Sequence, residues 1–146
     1  YLMHKSEISG YIPNIMRSSR KINDEMGTWV LQNFIAFAET SSINLDTVEI
    51  TILGYTFKEN CKDIRNTKVH DLAISMKEVG INLKIWDPFL DKETINMLKK
   101  FDIESFTNTP QKTELAFVCV YHDEIKTYLE NYKGIVYDFR KLNKAS

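Results

Sequence analysis

The chain has 146 residues, 43% of them hydrophobic and 27% charged, with a formal net charge of −1. That balance suits one globular core with a small appendage. It excludes a disordered chain and gives no electrostatic case for nucleic acid or an anionic membrane as the main partner.

Position 1 is Tyr rather than Met, as expected of a piece of a longer protein. No apolar run approaches the roughly 20 residues of a membrane span, and no signal-peptide core opens the chain. Cys61 and Cys119 lie far apart and outside any CxxC pattern, which reads as reduced thiols in a cytoplasmic protein.

The N-terminal third reads as one long helix. Pro13 fits a first turn, where its missing N–H would be unpaired anyway. Ile15, Ile22, Met26, Val30, Phe34 and Phe37 then recur at steps compatible with a 3.6-residue period. Trp29 and Leu31 widen that face, as expected of a helix covered by more than one neighbour. Thr40, Ser41, Ser42 and Asn44 form a polar break, which divides a helical arm, residues 1–44, from an α/β unit, residues 45–146.

From Thr47 strands and helices alternate. Val48 to Leu53 is rich in β-branched residues and stops at Gly54, a strand. A polar loop, residues 55–66, leads to a helix from about Thr67, with Val69, Leu72, Ala73 and Met76 on one face and Gly80 as its stop. Ile81 to Trp86 is a second strand closed by Asp87-Pro88, and Asp91 can cap a short helix carrying Ile95, Leu98 and Phe101. Leu115 to Val120 is an uninterrupted apolar run, the mark of a strand covered on both faces. Ile125, Tyr128, Leu129 and Tyr132 line a further helix, and Ile135 to Tyr137 form the last strand.

This alternation predicts the α/β class: a small Rossmann-like, doubly wound parallel sheet with right-handed crossovers, preceded by the long helix. Ligands of such sheets bind beyond the carboxyl ends of the strands, here loops 55–66, 87–90 and 121–124.

The loop after the first strand holds the charge. It lacks G-x-G-x-x-G, so it cannot be the phosphate turn of a complete dinucleotide-binding domain. It offers Lys58, a point charge, and Arg65, a planar fork, both suited to phosphate oxygens. The following helix adds its positive end. A solvated loop with local salt bridges is the plain alternative.

Other residues invite chemistry less. Cys61 lies among lysines that favour a thiolate, with His70 on the next helix as a candidate base, but a small residue packed in the loop is the simpler reading. Cys119, within an apolar run, reads as core. His4 and His70 have no metal-ligand spacing, so no metal site is expected. His122, at a strand's carboxyl end, would either line the crevice or cap the next helix, and Asp87 stands where a Rossmann domain holds a ribose hydroxyl.

The string GYTFKENCKDIRNTKVHDL resembles the opening of the C-terminal, UDP-binding domain of the UDP-glucose/GDP-mannose dehydrogenase family, a strand followed by G-x-x-F-K-x-x-x-x-D-x-R-x-[ST]. Gly54, Phe57, Lys58, Asp63, Arg65 and Thr67 fall on that pattern, and Glu-Asn-Cys after the Lys is most similar to the branch acting on UDP-N-acetylhexosamines, precursors of acidic surface polysaccharides. Downstream, IWDP and VCVYHD are similar to the family's Tyr-Asp-Pro strand end and His loop. Upstream, GYIP and RKINDEMG are similar to the long helix of its central domain. The resemblance covers nearly the whole chain.

It implies that Phe57 and Lys58 meet the UDP-sugar and that Arg65 reaches the pyrophosphate or ribose of NAD. It also implies that Arg140 contacts substrate, although Phe139 stands where Gly is usual in one branch. The family oxidises a sugar C6 alcohol twice, with NAD taking each hydride and a cysteine carrying the covalent intermediates. That cysteine would lie upstream of Tyr1-Leu2, and the NAD-binding domain also lies elsewhere, so the resemblance assigns no catalytic residue to this chain. Nucleophile and hydride acceptor must sit within about 3–3.5 Å of the reacting carbon, so the chain alone is expected to be inactive. The resemblance also implies a homodimer through the N-terminal helix. The alternative from a different class is a non-catalytic dimerisation or interaction module.

Overall fold

In the computed structural model, which describes residues 25–65 and 67–138, the chain runs α1 (Glu25–Thr40), β1 (Glu49–Leu53), α2 (Val69–Glu78), β2 (Asn82–Trp86) and α3 (Lys92–Lys100). It continues through β3 (Glu104–Phe106), β4 (Leu115–Val118), α4 (Asp123–Glu130) and β5 (Ile135–Asp138). All strand pairs are parallel, in the order β3-β2-β1-β4-β5.

Alternation along the strands sorts the side chains onto two faces. Ile50, Ile52, Leu83, Ile85, Leu115 and Phe117 join one core, shared with Val30, Leu31, Phe34 and Ile35 of α1, Leu72, Ala73 and Met76 of α2, and Leu98 of α3. Leu53, Trp86, Ala116 and Val118 point the other way and meet Ile125 of α4. Full burial of such a side chain stabilises the fold by about 1.5–3 kcal/mol. Helices on both faces make the sheet doubly wound, but unequally so. The second face is completed by the segment between β3 and β4, where the Trp86 indole donates to the Thr107 carbonyl (3.0 Å) and the Tyr132 hydroxyl to the Thr113 carbonyl (3.0 Å).

α1 is seated by aromatic packing: the Phe34 ring lies 4.9 Å from Phe117 and 5.1 Å from Tyr137. Its buried stripe is Val30, Leu31, Phe34, Ile35 and Ala38. Trp29, expected to widen that stripe, is 40% exposed instead. The part of the long helix expected before Glu25 lies outside the described residues.

The local signals fall where the chemistry puts them. Gly80 leaves α2 at φ +90°, its N–H on the Lys77 carbonyl at 2.9 Å. Asp91 Oδ1 accepts the Thr94 N–H at 2.8 Å, capping α3. β3 is the element that patterning does not anticipate: three residues on an edge, the first exposed and the others half-buried, give too short an alternation to read. Among the described residues no helix is long and apolar enough to cross a membrane.

One glycine fixes how the crevice is built. Gly54 follows β1 at φ +96°, and a Cβ there would lie 2.5 Å from the Val120 carbonyl oxygen. Only glycine lets the chain turn while pressed against the end of β4. The loop after β1 therefore starts in contact with the segment after β4.

Candidate functional site

β1 leads through α2 to β2 on one side, while its other neighbour, β4, is reached from the far edge of the sheet. The crevice between the carboxyl ends of β1 and β4 is the topological switch point. The three loops picked out by sequence meet there, around two buried side chains.

Asp87, the residue after β2, is wholly buried. Its Oδ2 accepts the N–H groups of Tyr55 (2.6 Å) and Thr56 (3.1 Å), and its Oδ1 accepts that of Phe89 (2.7 Å). His122, just before α4, is also wholly buried. Its Nε2 lies 2.9 Å from Asp87 Oδ2 and 2.9 Å from Thr56 Oγ1, and its Nδ1 receives the Asn60 N–H at 2.8 Å. A backbone N–H can only donate, so Nδ1 is the acceptor and the ring hydrogen sits on Nε2, shared between Asp87 and Thr56. The Thr56 hydroxyl in turn donates to the Lys58 carbonyl at 3.2 Å. Burial alone would raise the Asp87 carboxyl, but the His122 ring and the Tyr55 and Phe89 amides overcome it and hold the group below the ordinary carboxylate range.

Asn60 ties the loop tip to the turn before α4 twice. Besides its N–H on His122, its Oδ1 accepts the Asp123 N–H at 2.9 Å. It does so at φ 54°, a left-handed conformation that asparagine tolerates better than most residues. Further along the same edge the Tyr121 hydroxyl donates to Asp138 at the end of β5.

Above this base the loop is cationic and exposed. Phe57, 51% exposed, is fixed by its N–H on the Asp63 carbonyl at 2.7 Å, and Lys58 beside it is exposed. Arg65 is also exposed, and its Nε and Nη2 donate to Asp63 Oδ1 and Oδ2, each at 3.0 Å. The Arg65 hydrogen bonds, with a smaller contribution from the charge of Lys58, hold the Asp63 carboxyl below its usual range, and Asp63 raises the guanidinium in return. The Thr67 hydroxyl donates to the Tyr55 carbonyl and accepts the Val69 N–H at 3.2 Å, so the positive end of α2 is fastened to the same loop.

Phe57, Lys58 and Arg65 thus share one loop at the carboxyl edge. Arg140 and His4 lie outside the described residues, as do Gly10–Pro13 and the start of RKINDEMG. Asp87 does not present its carboxylate for a ribose, because both oxygens turn inward to amides and His122. His122 makes no side-chain cap on α4. His70 meets the Tyr55 hydroxyl at 3.1 Å and the edge of Phe101, while burial pushes the Tyr55 hydroxyl up to about 12. Burial likewise pushes the Cys119 thiol up; the residue stands just beyond β4, half-buried against the core rather than within it. Asn60 and Thr56 are the functional positions that sequence reasoning passed over. A polar residue whose partners are distant in sequence leaves no periodic trace.

A separate groove of about 710 Å³ lies along α4, lined by Lys112, Lys133, Asp123, Glu124, Tyr128 and Tyr132 among others. Its balanced charges give it no preference for anions, and it lies on the α4 face, whereas Lys58 and Arg65 stand on the loop after β1. No group of three or more His, Cys, Asp or Glu side chains able to hold a metal occurs among the described residues.

Comparison with known proteins gives a consistent answer. A sequence model described as "UDP-glucose/GDP-mannose dehydrogenase family, UDP binding domain" matches residues 51–145. The chain is 40% identical to a UDP-N-acetyl-D-glucosamine 6-dehydrogenase of Salmonella typhi, over 65% of this chain and 22% of that protein. It is 33% identical to Protein CapL of Staphylococcus aureus, over 96% of this chain and 34% of that protein. The chain therefore spans between about a fifth and a third of the length of these relatives. In fold it is similar to a UDP-glucose dehydrogenase from Pyrobaculum islandicum, with a TM-score of 0.59 at 19% identity over 93% of this chain and 31% of that one.

Proposed function

The chain belongs to the UDP-glucose/GDP-mannose dehydrogenase family, matching its UDP-binding domain, and from that premise we propose that it is the nucleotide-sugar-binding part of an NAD-dependent UDP-sugar 6-dehydrogenase. The names of its relatives favour a UDP-N-acetylhexosamine as the substrate class. The observation that carries this reading is the loop after β1. It holds Phe57 and Lys58 out at the switch point of a parallel sheet while its inner side is tied down by Asp87 and His122.

The Lys58 ammonium neutralises a diphosphate oxygen and the Phe57 ring gives an apolar face to the substrate. The Arg65 fork, with Nη1 not engaged by Asp63, reaches the pyrophosphate or ribose of NAD from this side. Arg140 completes the substrate contacts. NAD, when bound, accepts the hydrides. The loop after β1 has no glycine fingerprint and Asp87 is committed inward, so the chain offers the cofactor an edge rather than a bed. Residues 1–44 belong to the connecting helical domain and 45–146 to the UDP-sugar domain. The helix also forms a cytoplasmic homodimer, for which Trp29 is an exposed apolar side chain. The chain by itself binds UDP without dehydrogenase turnover.

The test is a calorimetric titration with UDP. The wild-type chain should bind at millimolar UDP or below. Lys58→Ala should weaken binding by about 10- to 100-fold, the worth of a hydrogen bond to a charged group. A wild-type chain indifferent to millimolar UDP, or a Lys58→Ala chain that binds equally well, defeats the reading.

A further inference from the structure

The residues under the Lys58 loop, Asp87 and His122, are wholly covered by protein, and their geometry is specific. Phe57 N–H to the Asp63 carbonyl, 2.7 Å, closes the loop upon itself, and residues 58–62 hang beyond that bond. At the middle of this span Asn60 offers its N–H to His122 Nδ1 at 2.8 Å and its Oδ1 to the Asp123 N–H at 2.9 Å. The acceptor that captures the tip is thus an imidazole nitrogen. Which nitrogen carries the hydrogen is set from the opposite side of the ring by Asp87 Oδ2, 2.9 Å from Nε2. A carboxylate that fixes a tautomer so that the far nitrogen can take a proton donor is the orienting logic of catalytic dyads. Here it is turned on a backbone amide.

We propose that His122 is a positioning residue for nucleotide-sugar binding. Its Nδ1 lone pair, aimed by Asp87, holds the Asn60 amide and so sets where Phe57 and Lys58 stand. Orienting groups of this kind matter because a cation displaced by a fraction of an ångström loses much of its hydrogen bond to phosphate. The inference rests on the UDP-binding reading above, and it assigns to His122 and Asp87 a role that contact with the ligand would not reveal.

Two near-isosteric variants separate the two ring nitrogens. In His122→Asn the amide oxygen takes the place of Nδ1 and keeps an acceptor for Asn60. In His122→Gln the carboxamide reaches the place of Nε2, keeps a donor for Asp87, and leaves Asn60 without its acceptor. Titrated with UDP, His122→Gln should bind about tenfold more weakly than wild type, the loss of one hydrogen bond. His122→Asn, which keeps the acceptor for Asn60 but gives up the donor to Asp87, should bind more tightly than His122→Gln and more weakly than wild type. In the ¹⁵N-labelled wild-type chain, His122 should show a pyridine-type Nδ1 and a pyrrole-type Nε2, with a protected Asn60 amide that exchanges freely in His122→Gln. Equal affinity of the two variants, the reverse order, or a pyrrole-type Nδ1 in the wild type overturns the proposal. A pyrrole-type Nδ1 in the wild-type spectrum overturns the proposal even if a variant fails to fold. A wild-type chain that ignores UDP instead defeats the binding reading itself, because the nitrogen pattern and the Asn60 protection judge the pin without ligand.

Discussion

On its inner side, the loop after β1 meets two fully buried groups, Asp87 and His122, which between them engage the amides of Tyr55, Thr56, Phe89 and Asn60. On its outer side the same loop holds Phe57, Lys58 and Arg65 in solvent, with Arg65 paired to Asp63. The two sides obey different energetics. An exposed ion pair contributes little to stability because water already solvates both charges. A buried carboxylate deprived of its partners, or a buried partner deprived of its carboxylate, costs several kcal/mol because nothing replaces the lost hydrogen bonds. The fold is held from below and, on the reading proposed above, the ligand is met from above, so support of the loop and contact with the ligand fall to different residues.

Substitutions at three positions press on that contrast, in falling order of effect. Asp87→Ala should destabilise the chain by about 3–5 kcal/mol in urea denaturation, since it strands three amides and His122 together. The carboxyl also gives the contrast a pH signature. Its folded value lies below its unfolded one, so the stability it contributes is fully present above the ordinary carboxylate value of about 4 and drains away as pH falls from there toward the folded value. Asp87→Asn should flatten that acid limb of the melting temperature, and an unchanged limb would mean that the charge is not what holds the loop.

Gly54→Ala should cost about 2–4 kcal/mol, the sum of a left-handed backbone and a Cβ pressed on Val120, with the same assay as its check. Asp63→Ala, on the outer side, should leave the urea midpoint unchanged within error while freeing the Arg65 guanidinium. A clear drop in stability there would erase the distinction between the two sides.

Much of this was legible in the sequence, and the reasons are physical. Val48 to Leu53 and Leu115 to Val120 announced buried strands because β-branched and apolar residues cluster where both faces are covered. Gly80 and Asp91 announced helix ends because few residues satisfy those backbone requirements. Lys58 and Arg65 stood out through the charge of a loop at a predicted strand end. What stayed hidden was long-range. Asp87 and His122 could be singled out by position, but their inward direction depends on partners 31 to 66 residues away. Asn60 gave no sign because its work is done by a main-chain N–H and an amide oxygen. β3 was missed because three residues on an edge carry hardly any pattern.

Those separations bear on how the molecule comes to exist. The bonds from Thr56 to Asp87 and His122 close chain loops of 31 and 66 residues, and β1 must find β4 across the whole excursion through α2, β2, α3 and β3. Closing such loops draws on chain entropy before any contact repays it, which places these steps late in folding. A nascent or partly collapsed chain already carries its lysine and arginine, but not the geometry that presents them. On the binding reading proposed above, recognition by this surface is therefore conditional on the last tertiary contacts being made, and a ligand that selects it acts as an inspector of finished molecules.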